Sequence, residues 1–226
     1  MKKLLLSVAL IASTLFPLAA HALDFEVGAG VARYTTRGNM MWYQEGFPHT
    51  LDLNAPAFEA GLADNFYQNG RFGIDWHASY VYMGNVHSDA IATPVDSNYD
   101  KVNKTCFGEC YAMSRYVANG HNQGIKLTIE PNYTYMGWRF GLEAGAYMFR
   151  PTWHATVYDV PPCKTCEPQT LNVASDSRIQ VAPVVGVSIG RGGFSVAALH
   201  YFNKTRGDPA FPIWKSTTTL MLKYRF

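Results

Sequence analysis

The chain has 226 residues, 48% of them hydrophobic and only 16% charged, with a formal net charge of +2. Nineteen Lys and Arg nearly balance seventeen Asp and Glu, so no basic face for nucleic acid is implied. Fourteen Tyr and thirteen Phe suit a barrel with an apolar outer band and aromatic girdles.

Residues Met1 to Ala22 read as an export signal. Lys2 and Lys3 give the basic start, Leu4 to Leu18 the apolar stretch, and Ala20-His21-Ala22 the small-x-small cleavage site. The expected mature domain is then 23–226, close to neutral once both lysines are removed. It holds no apolar run near the ~18 residues a membrane helix needs. If it crosses a membrane it must do so as a closed barrel, the only other fold that satisfies every backbone group in lipid.

From Leu23 onward the dominant period is two, the signature of strands. The first expected strand, Leu23 to Tyr34, puts Phe25, Val27, Ala29 and Val31 on one face and Asp24, Glu26, Gly28 and Gly30 on the other. A weaker second spans about Ala57 to Phe66 and turns at Asn69-Gly70. The third, Phe72 to Val86, alternates Phe72, Ile74, Trp76, Ala78, Tyr80 and Tyr82 with Asp75, His77 and Ser79. A long polar stretch follows, His87 to Asn122. The fourth strand sets Ile125, Leu127 and Ile129 against Lys126, Thr128 and Glu130. After a turn near Met136-Gly137, the fifth sets Phe140, Leu142, Ala144 and Ala146 against Gly141, Glu143 and Gly145. A second long loop, about Pro151 to Asp176, leads to the sixth, with Ile179, Val181, Val185, Val187 and Ile189 in register. Gly192-Gly193 turns into the seventh, Phe194 to Phe202, and the eighth is Thr217 to Phe226.

Long segments follow strands one, three, five and seven, and short turns follow two, four and six. That asymmetry predicts an all-β, eight-stranded antiparallel up-and-down transmembrane barrel with long extracellular loops. A soluble lipocalin-like barrel, with its apolar face turned inward around a ligand, is the alternative. The polar face opposes it, because that face is glycine-rich and carries acids and bases able to pair. Asp24 and Glu26 open the first strand while Lys223 and Arg225 close the last, so barrel closure predicts a charge seam near the rim.

The signal, the eight strands, the four external loops and the terminal Tyr224-Arg225-Phe226 resemble the small outer-membrane barrels of the OmpW and OmpX type. The resemblance implies residence in the outer membrane of a Gram-negative cell, among outer-membrane lipids and lipopolysaccharide. It also implies insertion by the outer-membrane assembly machinery, which reads the C-terminal aromatic Phe226. A narrow path for small hydrophobic solutes is a further implication.

All four cysteines fall in the long polar segments, as Cys106/Cys110 and Cys163/Cys166. In an exported protein disulfides are expected, with three connectivities open. A four-thiolate zinc site has plausible spacing, but an oxidising compartment opposes it. No metal-spaced His cluster and no Gly-rich phosphate loop is present, so neither metal nor cofactor is expected.

Two stretches resemble catalytic arrangements. His200-Tyr201-Phe202-Asn203 resembles the His-x-Ser-Asn of lipid A deacylases, with Phe202 where the nucleophilic serine belongs. His77-x-Ser79 puts a base and a hydroxyl on one face beside Asp75, within reach of Glu130 and Glu143. The same residues, with Lys126 and Lys223, also read as a hydrogen-bonded interior network, and an eight-stranded barrel is only just wide enough to be filled. No enzyme activity is expected on this reading. The external segments remain: Trp42, Tyr43, Phe47, Trp153 and Trp214 are the candidate contact residues, and recognition or adhesion at the cell surface, with an extracellular partner the sequence does not name, is the expected function.

Overall fold

The structure, a computed structural model, describes residues 23–36, 48–92, 99–100, 103, 105–106, 114–160, 167–204 and 214–226. The export segment, Trp42, Tyr43, Phe47, Cys110, Cys163 and Cys166 lie outside them, and Cys106 is described by its backbone alone.

Eight antiparallel strands close into a barrel. They are β1 (Asp24–Thr36), β3 (Asn54–Asn69), β4 (Phe72–Tyr82), β9 (Asn122–Tyr135), β10 (Trp138–Pro151), β13 (Gln180–Arg191), β14 (Phe194–Tyr201) and β15 (Trp214–Arg225). Their order around the barrel is β1-β15-β14-β13-β10-β9-β4-β3, with β1 pairing both β15 and β3. Two-residue turns join β3 to β4, β9 to β10 and β13 to β14, all at the end that holds Asp24 and Phe226. Closure leaves no sheet edge, so all barrel backbone groups can pair within the protein.

The expected inside-outside assignment holds. Val31, Leu127, Ile129, Leu142, Val187 and Leu222 are exposed on the outer wall, while Glu26, Glu59, Lys126, Glu143 and Lys223 are buried within it. An apolar band presented to the surroundings is stable only in lipid. Phe66, Tyr67, Phe72, Tyr133, Tyr135, Trp138 and Phe194 lie outward at the turn end, forming one aromatic girdle.

Among the described residues, seven shorter strands lie outside the barrel: β2 (His49–Asp52), β5 (Val86–Ala92), β6 (Tyr99–Asp100), β7 (Thr105–Cys106), β8 (Ser114–Gly120), β11 (Trp153–Val160) and β12 (Gln169–Asp176). Five of them pair in the order β12-β11-β8-β5-β2, a second sheet beyond the long-loop end. This corrects the reading of 87–122 and 151–176 as loops. The third expected strand, read through to Val86, is in fact broken at Gly84, whose φ of +60° redirects the chain from barrel to external sheet. A Cβ there would sit 2.3 Å from the Pro56 carbonyl oxygen, so only glycine makes this corner.

The last residue ties the seam. The Phe226 N–H donates to the Phe25 carbonyl at 2.9 Å, and its ring lies 6.1 Å from Phe25 and 4.8 Å from Tyr224. Deleting Phe226 is expected to lower the folded outer-membrane level of the protein severalfold. Equal amounts of full-length and truncated chain in the outer-membrane fraction would refute this.

Candidate functional site

The barrel interior has two layers. In the layer nearer the turns, the inward pleat of each strand brings charged residues into one cluster. Lys126 Nζ lies 2.8 Å from Glu59 and 2.6 Å from Glu143, all three fully buried. Lys223 Nζ lies 3.4 Å from both Glu26 and Glu59 and 3.6 Å from Glu143. The imidazole of His77 lies between two carboxylates, Nε2 at 3.1 Å from Glu130 and Nδ1 at 3.3 Å from Glu26. Arg139 and Arg225 share Asp75, the latter at 2.9 Å. Charges taken out of water need such partners, since an unpaired one costs several kcal/mol.

Asp75, His77, Lys126, Glu130, Glu143 and Lys223, singled out in the sequence, are thus all brought together. Glu59, Arg139 and Arg225 join them. The seam is narrower than expected: Glu26 meets Lys223 and, at 3.9 Å, Arg225, but Asp24 takes part in none of these pairs. Glu59 was overlooked in the sequence, although Ala57-x-Glu59-x-Gly61-x-Ala63 alternates with Phe58 and Leu62 and so marks it as inward.

Gly141 makes room for the cluster. A Cβ at this position would lie 2.2 Å from Glu130 Oε1 and 2.5 Å from Ser188 Oγ, which itself donates to Glu130 at 2.9 Å. Gly141→Ala is therefore expected to destabilise the folded barrel by about 1–3 kcal/mol through overpacking. Urea unfolding in detergent micelles measures it, and an unchanged midpoint would show that Glu130 is free to move aside.

The geometry does not favour catalysis. Both His77 nitrogens face carboxylates, and the Ser79 hydroxyl is buried with no hydrogen bond to the imidazole. A serine nucleophile needs a ring nitrogen free to take its proton. His200 lies on the outer wall, accepting or donating at 2.9 Å to Thr218 and stacked edge-on against Phe202, away from the interior acids. His77, Glu130 and Glu143 do offer ligand atoms within 4.8 Å of one another. Lys126, Lys223 and Arg139 already supply the positive charge that a divalent cation would bring there.

Toward the external sheet the interior becomes aromatic. Tyr147 stacks on Phe149 at 5.3 Å and meets Tyr201 edge-on at 5.0 Å. Above them Tyr34, Trp214 and Trp153 form a T-shaped series with centroids 5.0 and 5.3 Å apart. The Tyr34 hydroxyl donates to the Met83 carbonyl and accepts from the Asn122 N–H, both at 3.0 Å. Trp153 and Trp214 were candidate contact residues. The structure puts them at 5% and 2% exposure, closing the barrel's external mouth rather than presenting a surface. Trp214 falls on the inner pleat of barrel strand β15 and Trp153 on the buried pleat of β11 in the external sheet, so neither ring reaches solvent.

The surface presented outward by the external sheet is polar. Register aligns Asp52, His87, Asn119, His154 and Ser175 in one row across all five strands. All five are exposed, and His87 Nδ1 lies 2.6 Å from the Asn119 side-chain oxygen. One row further out, Arg115 forks onto Asp89, and this hydrogen bonding holds the Asp89 carboxyl below its ordinary range. The opposite pleat, with Val86, Ala90, Tyr116, Ala118, Ala155 and Val157, is buried. A twofold period thus gives the sheet one packed side and one hydrogen-bonding side.

No protein-family model matches the chain, and no curated protein matches it. Among solved structures it is similar to Ail, the attachment invasion locus protein of Yersinia pestis. Identity there is 13%, coverage 91% of this chain and 100% of that one, and the TM-score 0.40. Ail in complex with the heparin analogue sucrose octasulfate gives 11% identity, the same coverage and a TM-score of 0.39. A mutant porin of Rh. blastica gives 8% identity, 91% and 99% coverage, and 0.21. The closed sheet and apolar outer wall of this chain carry the fold assignment by themselves. It is a small barrel of the outer-membrane type.

Proposed function

We propose that this barrel is a surface-recognition protein of the Gram-negative outer membrane, binding an extracellular partner through its external sheet and loops. The observation that carries the reading is the contrast between a lumen blocked by packed side chains and a five-stranded sheet raised beyond the membrane. A lumen occupied by a buried ionic cluster and capped by Tyr34, Trp214 and Trp153 leaves no open channel among the described residues. A sheet with exposed Asp52, His87, Asn119, His154 and Ser175 supplies many hydrogen-bonding groups on a rigid frame. Such surfaces suit polar, water-bridged recognition. The candidate aromatics Trp42, Tyr43 and Phe47 fall in sequence between β1 and β2, outside the described residues.

Disulfides among Cys106, Cys110, Cys163 and Cys166, in any of the three connectivities, complete the proposal, because covalent closure would reduce the entropy cost of holding these segments in one shape. Reductant is then expected to speed proteolysis of the external segments while the barrel stays heat-modifiable. Identical digestion patterns with and without reductant would remove the disulfides from the scheme.

The test of function is surface display in a non-adherent Gram-negative host. Unboiled and boiled samples should migrate differently on SDS gels, as folded barrels do. Displaying cells should then bind epithelial cells or immobilised matrix, and removal of 153–176 should abolish that binding without abolishing the gel shift. A steady conductance in planar bilayers, with no gain in binding, would replace recognition by transport.

A further inference from the structure

The turn end of the barrel holds a cavity of about 250 Å³ that the recognition surface does not use. Three guanidiniums line it: Arg139 from β10, Arg191 from the end of β13, and Arg225 from the end of β15. Thr134, Ser195 and the side-chain-free Gly192-Gly193 turn add to its polar wall, and Glu26 is the one carboxylate among its lining residues.

Charge in this cavity is unbalanced toward positive. Arg139 and Arg225 both lie on Asp75, and Arg139 also stands 3.6 Å from Glu130, a carboxylate already engaged by His77. Glu26 is already faced by Lys223 and His77. Arg191 makes no ion pair among those described, and its guanidinium lies 5.6 Å over the Trp138 ring, outside the interior cluster. Arg225 spends only Nη1 on Asp75, at 2.9 Å. Its Nε and Nη2 are buried and have no hydrogen-bond acceptor among the described residues, Glu26 standing 3.9 Å from Nε. Buried guanidinium N–H groups without acceptors are costly, and an arginine fork matches two oxygens of one tetrahedral anion.

We propose that this cavity binds a phosphate group entering from the periplasmic side, held by Arg225 Nε and Nη2 and by Arg191. The glycine turn lets backbone approach the anion, and the volume leaves room for a small substituent on the phosphate. Two sources share this chemistry: a soluble periplasmic phosphate and the headgroup of an inner-leaflet phospholipid.

Inorganic phosphate titrated into the full-length mature protein, folded in a phosphate-free detergent such as lauryldimethylamine oxide, tests the site. The readout is the NMR signal of the Arg225 Nε–H, which should move downfield and saturate. Arg191→Ala should raise the phosphate dissociation constant about tenfold. It should also leave the boiled-versus-unboiled gel shift unchanged, because Arg191 lies outside the interior ion pairs. A signal already displaced in phosphatidylglycerol nanodiscs, and insensitive to added phosphate, would assign the site to a lipid headgroup. A signal that moves there only on adding phosphate would assign it to a soluble ligand. No saturable shift in detergent, an equal shift with sodium chloride at matched ionic strength, or unaltered affinity in Arg191→Ala would overturn the proposal.

Discussion

Lys126→Met is expected to destabilise the barrel by about 3–5 kcal/mol, since it strands two buried carboxylates. Lys126 is fully buried against Glu59 and Glu143, and the remaining cation, Lys223, stands farther from both at 3.4 and 3.6 Å. Removing the ammonium leaves negative charges repelling one another in a lumen that water enters poorly. The double variant Lys126→Met with Glu143→Gln should recover part of the loss, because it withdraws one of the stranded charges. Val187→Met, on the outer wall at 52% exposure, should stay within about 0.5 kcal/mol of the parent. Equilibrium urea unfolding in micelles separates these cases. A Lys126 variant as stable as the Val187 one would mean that the ionic cluster contributes nothing to folding.

Trp214→Ala is the second large effect, at about 3–5 kcal/mol for an indole removed from a closed aromatic series. Trp214 is 2% exposed and touches Tyr34 on one side and Trp153 on the other. Its loss should also make the external sheet easier to cleave, because Trp153 is the first residue of β11 and loses its neighbour. The ionic layer below stays in place, so no conductance should appear. A cost below about 1 kcal/mol, with unchanged proteolysis, would show that the mouth is not held shut by these rings.

The barrel was legible because its strands alternate strongly. Ile125, Leu127 and Ile129 against Lys126, Thr128 and Glu130 give two faces of opposite character, and the pairable charges on the glycine-rich face assign it to the lumen. The interior cluster was legible for the same reason, residue by residue, except where the alternation was weak, as around Glu59. The external strands were not legible. Along β5, β8 and β11 the buried pleat interrupts Val86, Tyr116, Trp153 and Val157 with Ser88, Ala90, Ala118 and Ala155, too small to sustain a contrast with polar neighbours. Their segments therefore read as loops, and the row from Asp52 to Ser175 went unseen. It exists only through pairings between strands distant in sequence. Trp153 and Trp214 were misread as surface residues because an aromatic near a strand end fits an interfacial belt as well as a plug, and pleat parity decides between them.

What the sequence by itself determined was a two-faced strand repeated eight times, with short turns at one end, because side chains alternate strictly along an extended backbone. That periodicity dictates a closed barrel in lipid, and it names the residues that must share the lumen. Only the tertiary structure decided who pairs with whom: His77 between Glu26 and Glu130, Lys126 between Glu59 and Glu143, and three arginines around one cavity. Those contacts depend on strand register and barrel closure, which bring together residues as far apart as Glu26 and Lys223, and no local pattern in a sequence encodes a distance across a lumen.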